Sequence, residues 1–329
     1  MKSFASLYEA LAGAGARYRY LLLCGLVCAF TPLGAEPIKP LQPVTGLDPQ
    51  IVALGKKLFH DPRLSKDETI SCASCHNLAT GGADSSRVSV GIGGELGLVN
   101  SPTVYNSGLL FRQFWDGRVE TLEEQIDGPI HAPFEMGMSW PDVVARLYGD
   151  ADYPQLFRKA FRGGEISEAN IKKAIADFER SLVTLNAPFD RYLQGDEEAI
   201  TKQQKRGYAL FKQYGCISCH QGAAVGGNMF QVFGVINAYF TQRGNITEAD
   251  LGRYNVTGNP ADKHSFKVPS LRLAAYTAPY LHDGNAATLR DAVDMMFTFQ
   301  LGREAPDQDK EDIVAFIRSL AGDHPELKK

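Results

Sequence analysis

The chain has 329 residues, 44% of them hydrophobic and 22% charged, with a formal net charge of −4. That composition excludes a disordered or low-complexity chain and fits one large or two medium domains with real apolar cores. The acidic balance argues against a nucleic-acid partner and permits a basic protein partner to be steered in.

Read in chain order, the sequence opens on an export signature. Lys2, Arg17 and Arg19 form a basic region, Leu21 to Phe30 is an apolar run, and Gly34-Ala35 offers small residues for cleavage. Residues 1–35 are therefore expected to be a cleaved signal peptide, with an uncleaved anchor as the alternative. The apolar run is short for a membrane span. Cys24 and Cys28 lie in this segment, lack the Leu-small-small pattern of a lipoprotein site, and read as apolar filler. Loss of Lys2, Arg17, Arg19 and Glu9 with the segment leaves about −6.

A helix is predicted over Pro49–Phe59, followed by Cys72-Ala-Ser-Cys75-His76. The pattern returns as Cys216-Ile-Ser-Cys219-His220. C-x-x-C-H is the attachment signature of c-type haem: two thiols add to the vinyl groups and the adjacent imidazole ligates iron. A shared zinc site would need its Cys pairs roughly 15–20 residues apart, whereas about 140 residues separate these. Two haems are expected, so this is an electron-handling protein. The four remaining cysteines are all used by haem, leaving none for a disulfide. Bacterial haem attachment takes place outside the cytoplasmic membrane, so the periplasm is the expected location.

Further helices are predicted over Leu122–Ile126, Trp140–Arg146, Tyr153–Phe161, Glu168–Ser181, Thr201–Tyr214, Thr288–Phe299 and Asp307–Leu320. Glu168–Ser181 places Ile171, Ala174, Ile175 and Phe178 on one face, and the last helix places Ile313, Phe316, Ile317 and Leu320 together. Strong local echoes link the two halves. Gly55-Lys-Lys-Leu58-Phe59 matches Gly207-Tyr-Ala-Leu210-Phe211, and Gly81-Gly82 matches Gly226-Gly227. Pro102-Thr103-Val104 matches Pro269-Ser270-Leu271, and Trp115-Asp116-Gly117 with Thr121-Leu122 matches His282-Asp283-Gly284 with Thr288-Leu289. The expected fold is mostly α: two cytochrome c-like haem lobes packed together, with long loops. The polar stretch from Gly195 to Gln204 sets the boundary, giving an N-terminal haem domain over 36–195 and a C-terminal one over 196–329.

The halves differ where an axial ligand is needed. Leu289, Ala292, Val293 and Met296 share a helix face, so Met296 is the expected sixth ligand of the second haem; Met295 is turned away and Met229 is the reserve. Eight residues after Thr288 comes Met296; eight after Thr121 comes Pro129, which cannot ligate iron. In its place the first lobe carries Gln125, His131 and Glu135 on what reads as a loop.

These residues resemble the bacterial di-haem cytochrome c peroxidases and the related methylamine dehydrogenase maturation enzymes. The resemblance runs from about Leu54 to Leu320 and rests on Leu58-Phe59-His-Asp-Pro-Arg63, Phe114-Trp115-Asp116-Gly117-Arg118, Gly128-Pro129-Ile130, Phe266-Lys-Val-Pro269-Ser-Leu271 and Pro279-Tyr280-Leu-His282-Asp283-Gly284. It implies that the second haem, on His220 and Met296, accepts electrons and that the first, on His76, meets peroxide. It implies that Glu135 is the catalytic glutamate, Gln125 the pocket glutamine and Trp115 the residue between the haems. It further implies a calcium site at Asn100, Thr277 and Pro279, oxygen ligands suited to that ion. His282 reads as structural, with a haem propionate as its expected partner, and His60, His264 and His324 as having no iron role. Many members place a capping His in the loop Ser89–Gly97, where this chain has Ile92; the first haem is then open in the oxidised protein, with His131 as a substitute cap the weaker alternative.

The expected reaction is reduction of hydrogen peroxide to water with electrons from a small cytochrome c or cupredoxin, in a homodimer as is common in the family. Two alternatives stand beside it: an oxidase that matures a partner protein through a ferryl di-haem state, and a non-catalytic di-haem electron carrier. Relatives of the first kind often carry Tyr in place of the axial Met, which Met296 disfavours; a carrier would need a second ligand that the first lobe does not offer.

Overall fold

The computed structural model describes residues 36–328; the expected signal segment, with Cys24 and Cys28, lies outside them. Its helices are started by side-chain caps and arranged by glycine. In α1 (Pro49–Phe59) the Asp48 carboxylate accepts the Gln50 N–H and Pro49 takes the first turn, where its missing donor costs nothing. The first haem motif forms the short helix α2 (Cys72–Cys75). Then come α3 (Leu122–His131), α4 (Trp140–Tyr148), α5 (Tyr153–Ala160), α6 (Glu168–Ser181), α7 (Pro188–Leu193) and α8 (Lys202–Gln213). The second half adds β1 (Phe230–Val232), α9 (Tyr239–Arg243), α10 (Tyr254–Thr257), β2 (Ser265–Lys267), α11 (Leu289–Met295) and α12 (Asp307–Arg318). β1 and β2 pair antiparallel, with Phe230 opposite Lys267.

Two helix crossings organise the cores, and they are copies of each other. α1 crosses α6 at Gly55, where a Cβ would lie 1.8 Å from the Ala174 carbonyl oxygen and 2.9 Å from the Phe178 Cβ. α8 crosses α12 at Gly207, where a Cβ would lie 1.8 Å from the Asp312 carbonyl oxygen and 2.9 Å from the Phe316 Cβ. Only glycine permits either approach. The first core gathers Leu54, Leu58, Ile126, Val143, Phe157 and Phe178, and the second Phe189, Tyr208, Phe211, Val293, Phe316 and Leu320.

The cores exchange segments, and residues 37–328 form one compact unit. Ile38 belongs to the second core, Leu273 and Ala321 to the first. Arg272, fully buried, bonds Asp190 at 2.8 Å and the carbonyls of Lys39 and Ala223, tying the entry strap to the second core. Such a pair stabilises chiefly because breaking one partner strands the other charge.

The sequence echoes are echoes in space. Gln113 bridges Val119 as Tyr280 bridges Ala286, closing the turns at Gly117 and Gly284, whose φ values are +64° and +62°. Each turn presses on the opposite half: a Cβ on Gly117 would meet the Phe230 ring, and one on Gly284 would meet Arg87. The Asn100 N–H donates to the His282 carbonyl at 2.8 Å, and the Lys267 N–H donates to the Trp115 carbonyl at 2.8 Å. Since Trp115 matches His282, and Asn100 matches Lys267 in the frame that pairs Pro102 with Pro269, these are one contact made twice.

Two predicted elements differ from what forms. The stretch read as a loop after Ile126 is helical to His131: the Thr121–Glu124 capping box starts α3 firmly, and Pro129 sits inside it without ending it. The stretch read as one helix to Phe299 is α-helical only to Met295, and Met296–Leu301 is a π-turn closed by Gly302 at φ +60°. Such wide turns favour functional positions. Helix α7, the short α9 and α10, and the two strands were not predicted; each is too short to show a period.

Candidate active site

The second haem motif opens onto a cavity of about 550 Å³. Cys216, Cys219 and His220 line it, as do Leu289, Ala292, Val293 and Met296, the face predicted for α11. Met295 instead packs against the cluster of Tyr239, Phe240 and Phe266. The rest of the wall is largely apolar, including Phe266, Val268, Leu271, Ile313 and Ile317. His220 is desolvated, which pushes its imidazole down to about 4 and keeps it neutral, the form that ligates metal. The carbonyls of Val225 and Pro269 face the ring, yet Nδ1 has no partner in hydrogen-bond geometry. A Cβ on Gly226 would lie 3.3 Å from that Nδ1 and 2.3 Å from the Pro269 oxygen, so glycine is what lets the loop close round the histidine.

The first motif is built alike. His76 Nδ1 lies 3.2 Å from the Gly82 carbonyl, and burial lowers its pKa, opposed by the carbonyls of Gly82 and Pro102. Pro102 and Pro269 are repeat partners. Burial pushes Cys72 up to about 12 and Cys216 up to about 11. Thiols that resist ionisation are poor zinc ligands, since metal binding needs the thiolate. They suit thioether attachment, where no charge remains. Neutral desolvated imidazoles and uncharged sulfurs at both motifs, with an apolar cavity at the second, fit haem.

Around the first motif the structure brings together much of what the sequence singled out. α3 runs into a tight turn, with Met136 N–H donating to Pro129 O and Met138 N–H to Ile130 O, and Glu135 stands on that turn. Burial raises the Glu135 pKa, opposed by Arg118, and its charge in turn reaches Cys75. The loop carrying Ile92 is docked against it: the Ile92 N–H donates to the Glu135 carbonyl at 3.0 Å, and a Cβ on Gly91 would lie 2.8 Å from the Glu135 Cα. Ile92 packs against Gly137, where a Cβ would lie 2.7 Å from its Cδ1. Arg118 stacks on Phe114 at 3.3 Å and chelates Asp116, and a Cβ on Gly128 of α3 would lie 2.7 Å from the Phe114 ring. Gln125 is half-buried one turn before Pro129. His131 is exposed, with its ring against Trp140.

Trp115 lies where the halves meet. It lines the second cavity, donates from Nε1 to the Asn100 carbonyl at 2.8 Å, and meets His282 edge-on at 6.4 Å. Asn100, Thr277 and Pro279 line the same cavity, and Asn100 Nδ2 donates to Ser86 O, fixing that amide. His282 stacks on Phe266, and its Nε2 is engaged by Asp250 at 2.8 Å, so that nitrogen faces a carboxylate of this chain and not a propionate. Asp250 also binds Arg243, which reaches Asp283 at 2.6 Å. His264 bonds the Asp250 carbonyl, His60 the Lys56 carbonyl, and His324 accepts from the Glu326 N–H.

Sequence reading missed several buried charged residues, among them Lys267 and Glu179. Lys267 lines the second cavity with Nζ on the Arg112 carbonyl, and burial pushes it down to about 8. Glu179 lies in α6 in the first core. The repeat could have found both: Lys267 is the counterpart of Asn100, and Phe178-Glu179-Arg180-Ser181 is echoed by Phe316-Ile317-Arg318-Ser319.

A mostly helical fold with two C-x-x-C-H centres, one offered a methionine and the other a half-buried carboxyl, defines a di-haem c-type redox protein. Residues 49–198 match the family model described as di-haem cytochrome c peroxidase. The chain is 48% identical over 288 residues to cytochrome c peroxidase Ccp of Escherichia coli, covering 87% of this chain and 61% of that protein's length. It is 45% identical to cytochrome c551 peroxidase of Nitrosomonas europaea, covering 89% and 86%. Among solved structures, a MauG-like protein associated with microbial copper homeostasis superposes with a TM-score of 0.76 at 30% identity, covering 88% and 96%. The chain belongs to the di-haem cytochrome c peroxidase family, which carries two haems.

Proposed function

We propose that the protein reduces hydrogen peroxide to water, drawing two electrons from a small cytochrome c or cupredoxin through the second haem. The observation that carries this reading is the asymmetry of the two centres: Met296 lines the cavity of one, while the other has Pro129 at the matching position and a desolvated Glu135 carboxyl whose charge reaches Cys75. The peroxidase relatives support it, and it divides the chain into an N-terminal peroxidatic lobe over 36–195 and a C-terminal electron-transfer lobe over 196–329.

Cys72, Cys75 and His76 hold the first haem, and Cys216, Cys219, His220 and Met296 the second. When bound, the first supplies the iron to which peroxide adds and the second the store of electrons. Glu135 does the proton work. Its carboxylate accepts the proton of the peroxide oxygen nearer the iron and returns it to the departing oxygen, general base and then general acid. Two further protons from solvent and the two electrons complete two waters. Desolvation brings the carboxyl's affinity for protons closer to neutrality, as a group that must both take and give requires. The Ile92 N–H on the Glu135 carbonyl holds the turn in place, Gln125 orients peroxide by hydrogen bonding, and Trp115 joins the centres. Ile92 offers no ligand, so this loop would leave the first iron open in the oxidised protein.

Asn100, with a side-chain oxygen, and Thr277 and Pro279, with carbonyl oxygens, would hold a calcium ion, for which such hard ligands are suited; all three line one cavity. Export to the periplasm follows from the haem chemistry and the basic-apolar start of the chain; among the described residues no helix is long and apolar enough to cross a membrane. The protein acts as a homodimer. Peroxide consumption with a reduced cytochrome c as donor tests the reading: turnover supports it, and two loaded haems without turnover would return the protein to the carrier class.

A further inference from the structure

The two helix crossings put matched residues at matched places, and at one of them the chemistry differs. Gly55 meets Ala174 and Phe178 as Gly207 meets Asp312 and Phe316, so α6 and α12 are in register residue by residue. In that register Glu179 is the counterpart of Ile317. Ile317 lines the cavity of the second haem. Glu179 is only 5% exposed, and its charge reaches Cys72 of the first attachment site. An apolar residue evidently serves this fold at this position, so the carboxyl is not there for packing. Burying it costs stability, which points to function.

Little compensates the charge. The groups facing Glu179 are Arg180 from its own helix and Glu123 from α3. Arg180 is already committed to Glu123, at 2.8 and 2.7 Å, and to Asp177 at 2.9 Å. Asp177 is held further by Lys173 at 2.8 Å. α1 and α4 bring apolar core residues to α6, with His60 meeting only the Phe178 ring. Among the described residues no hydrogen bond or ion pair holds the Glu179 carboxyl. Burial pushes it up to about 8.

We propose that Glu179 is the proton partner of the first haem's redox change. The carboxylate takes one proton from solvent for each electron that the iron accepts from the donor, and returns the proton when the electron leaves. Iron loses one positive charge as the carboxylate loses one negative charge, so the buried pair keeps its total charge. That is the cheaper course where the dielectric is low. Glu179 is a positioning residue for charge, distinct from Glu135 at the peroxide. The inference rests on the first haem being attached at His76, and not on peroxide turnover.

The experiment is a spectroelectrochemical titration of the two-haem protein from about pH 6 to about pH 9, around the range in which the carboxyl ionises. The first haem's reduction equilibrium should fall with pH, approaching tenfold per unit, or about 59 mV for one electron, with the second haem nearly flat. Glu179→Gln should remove that slope. Glu179→Ile, which installs the other half's own residue, should remove it as well and guards against a folding defect in the first variant. A first haem without slope in the unaltered protein, or a slope that survives in the variants, would overturn the proposal. Loss of peroxide turnover with the slope intact would fail the proposed function and leave this inference standing.

Discussion

α3 and α11 begin alike and end differently. Each is opened by a threonine capping box, Thr121 with Glu124 and Thr288 with Asp291, and each follows an Asp-Gly turn of the same hand. Such caps are each worth about 1 kcal/mol, so both helices are anchored at the start and free to differ at the far end. α11 relaxes into a π-turn that presents Met296 to the second cavity; α3 continues through Pro129 to the turn bearing Glu135. One scaffold thus places a methionine at one cavity and a desolvated carboxyl at the end of the matching helix in the other half. On the proposed function, a duplicated fold holds its architecture constant while a single helix end decides between carrying electrons and using them.

The comparison breaks most sharply at Glu135. Glu135→Gln should cut peroxide turnover by about 10²–10⁴-fold, the usual worth of a general acid–base group, with both haem spectra retained; undiminished turnover would remove Glu135 from the mechanism. Met296→Leu tests the other side. It should lower the second haem's reduction equilibrium about tenfold or more, since thioether ligation is what raises it, and slow turnover with the natural class of donor. A reductive titration reads this directly, and an unmoved second haem would mean that Met296 is core packing.

The matched crossings allow a smaller, paired test. Gly55→Ala and Gly207→Ala each force a methyl into a backbone oxygen, so each should cost about 1–3 kcal/mol in thermal or denaturant unfolding. Similar losses support the equivalence of the crossings; a neutral result at one would show that half to be the looser. The smallest effect concerns pH. Burial alone would raise the Asp250 pKa, but hydrogen bonds from Arg243, Thr247 and His282 outweigh it and hold the carboxyl far below its ordinary value. A depressed folded pKa stabilises above the unfolded value near 3.9 and loses that contribution as pH falls. Stability should therefore drop on acidification below about pH 4, and Asp250→Asn should flatten that limb of the curve.

Much of this was legible beforehand because the informative features are local or repeated. The Pro49–Phe59 and Glu168–Ser181 helices form with the predicted limits, since caps and apolar period agree. The haem motifs and the Met296 face are short patterns that need only a few neighbouring residues. What stayed hidden depends on tertiary context. Pro129 reads as a breaker, yet α3 carries it because the tight turn to Met138 and the Phe114–Arg118 pair brace its end. The π-turn at Met296 has no period to betray it. Glu179 looks like one more polar residue on an amphipathic helix until the crossing at Gly55 shows which residue of the other half it replaces.

The central claim, that the first centre is open and reactive as it stands, is tested most directly by mixing hydrogen peroxide with the fully oxidised protein and following the haem spectrum by stopped flow. The account predicts a rapid change at the first haem without prior reduction, as Ile92 in place of a ligand requires. A spectrum that stays still until the second haem is reduced would contradict it and reveal a ligand on the first iron, with His131 the residue to replace next.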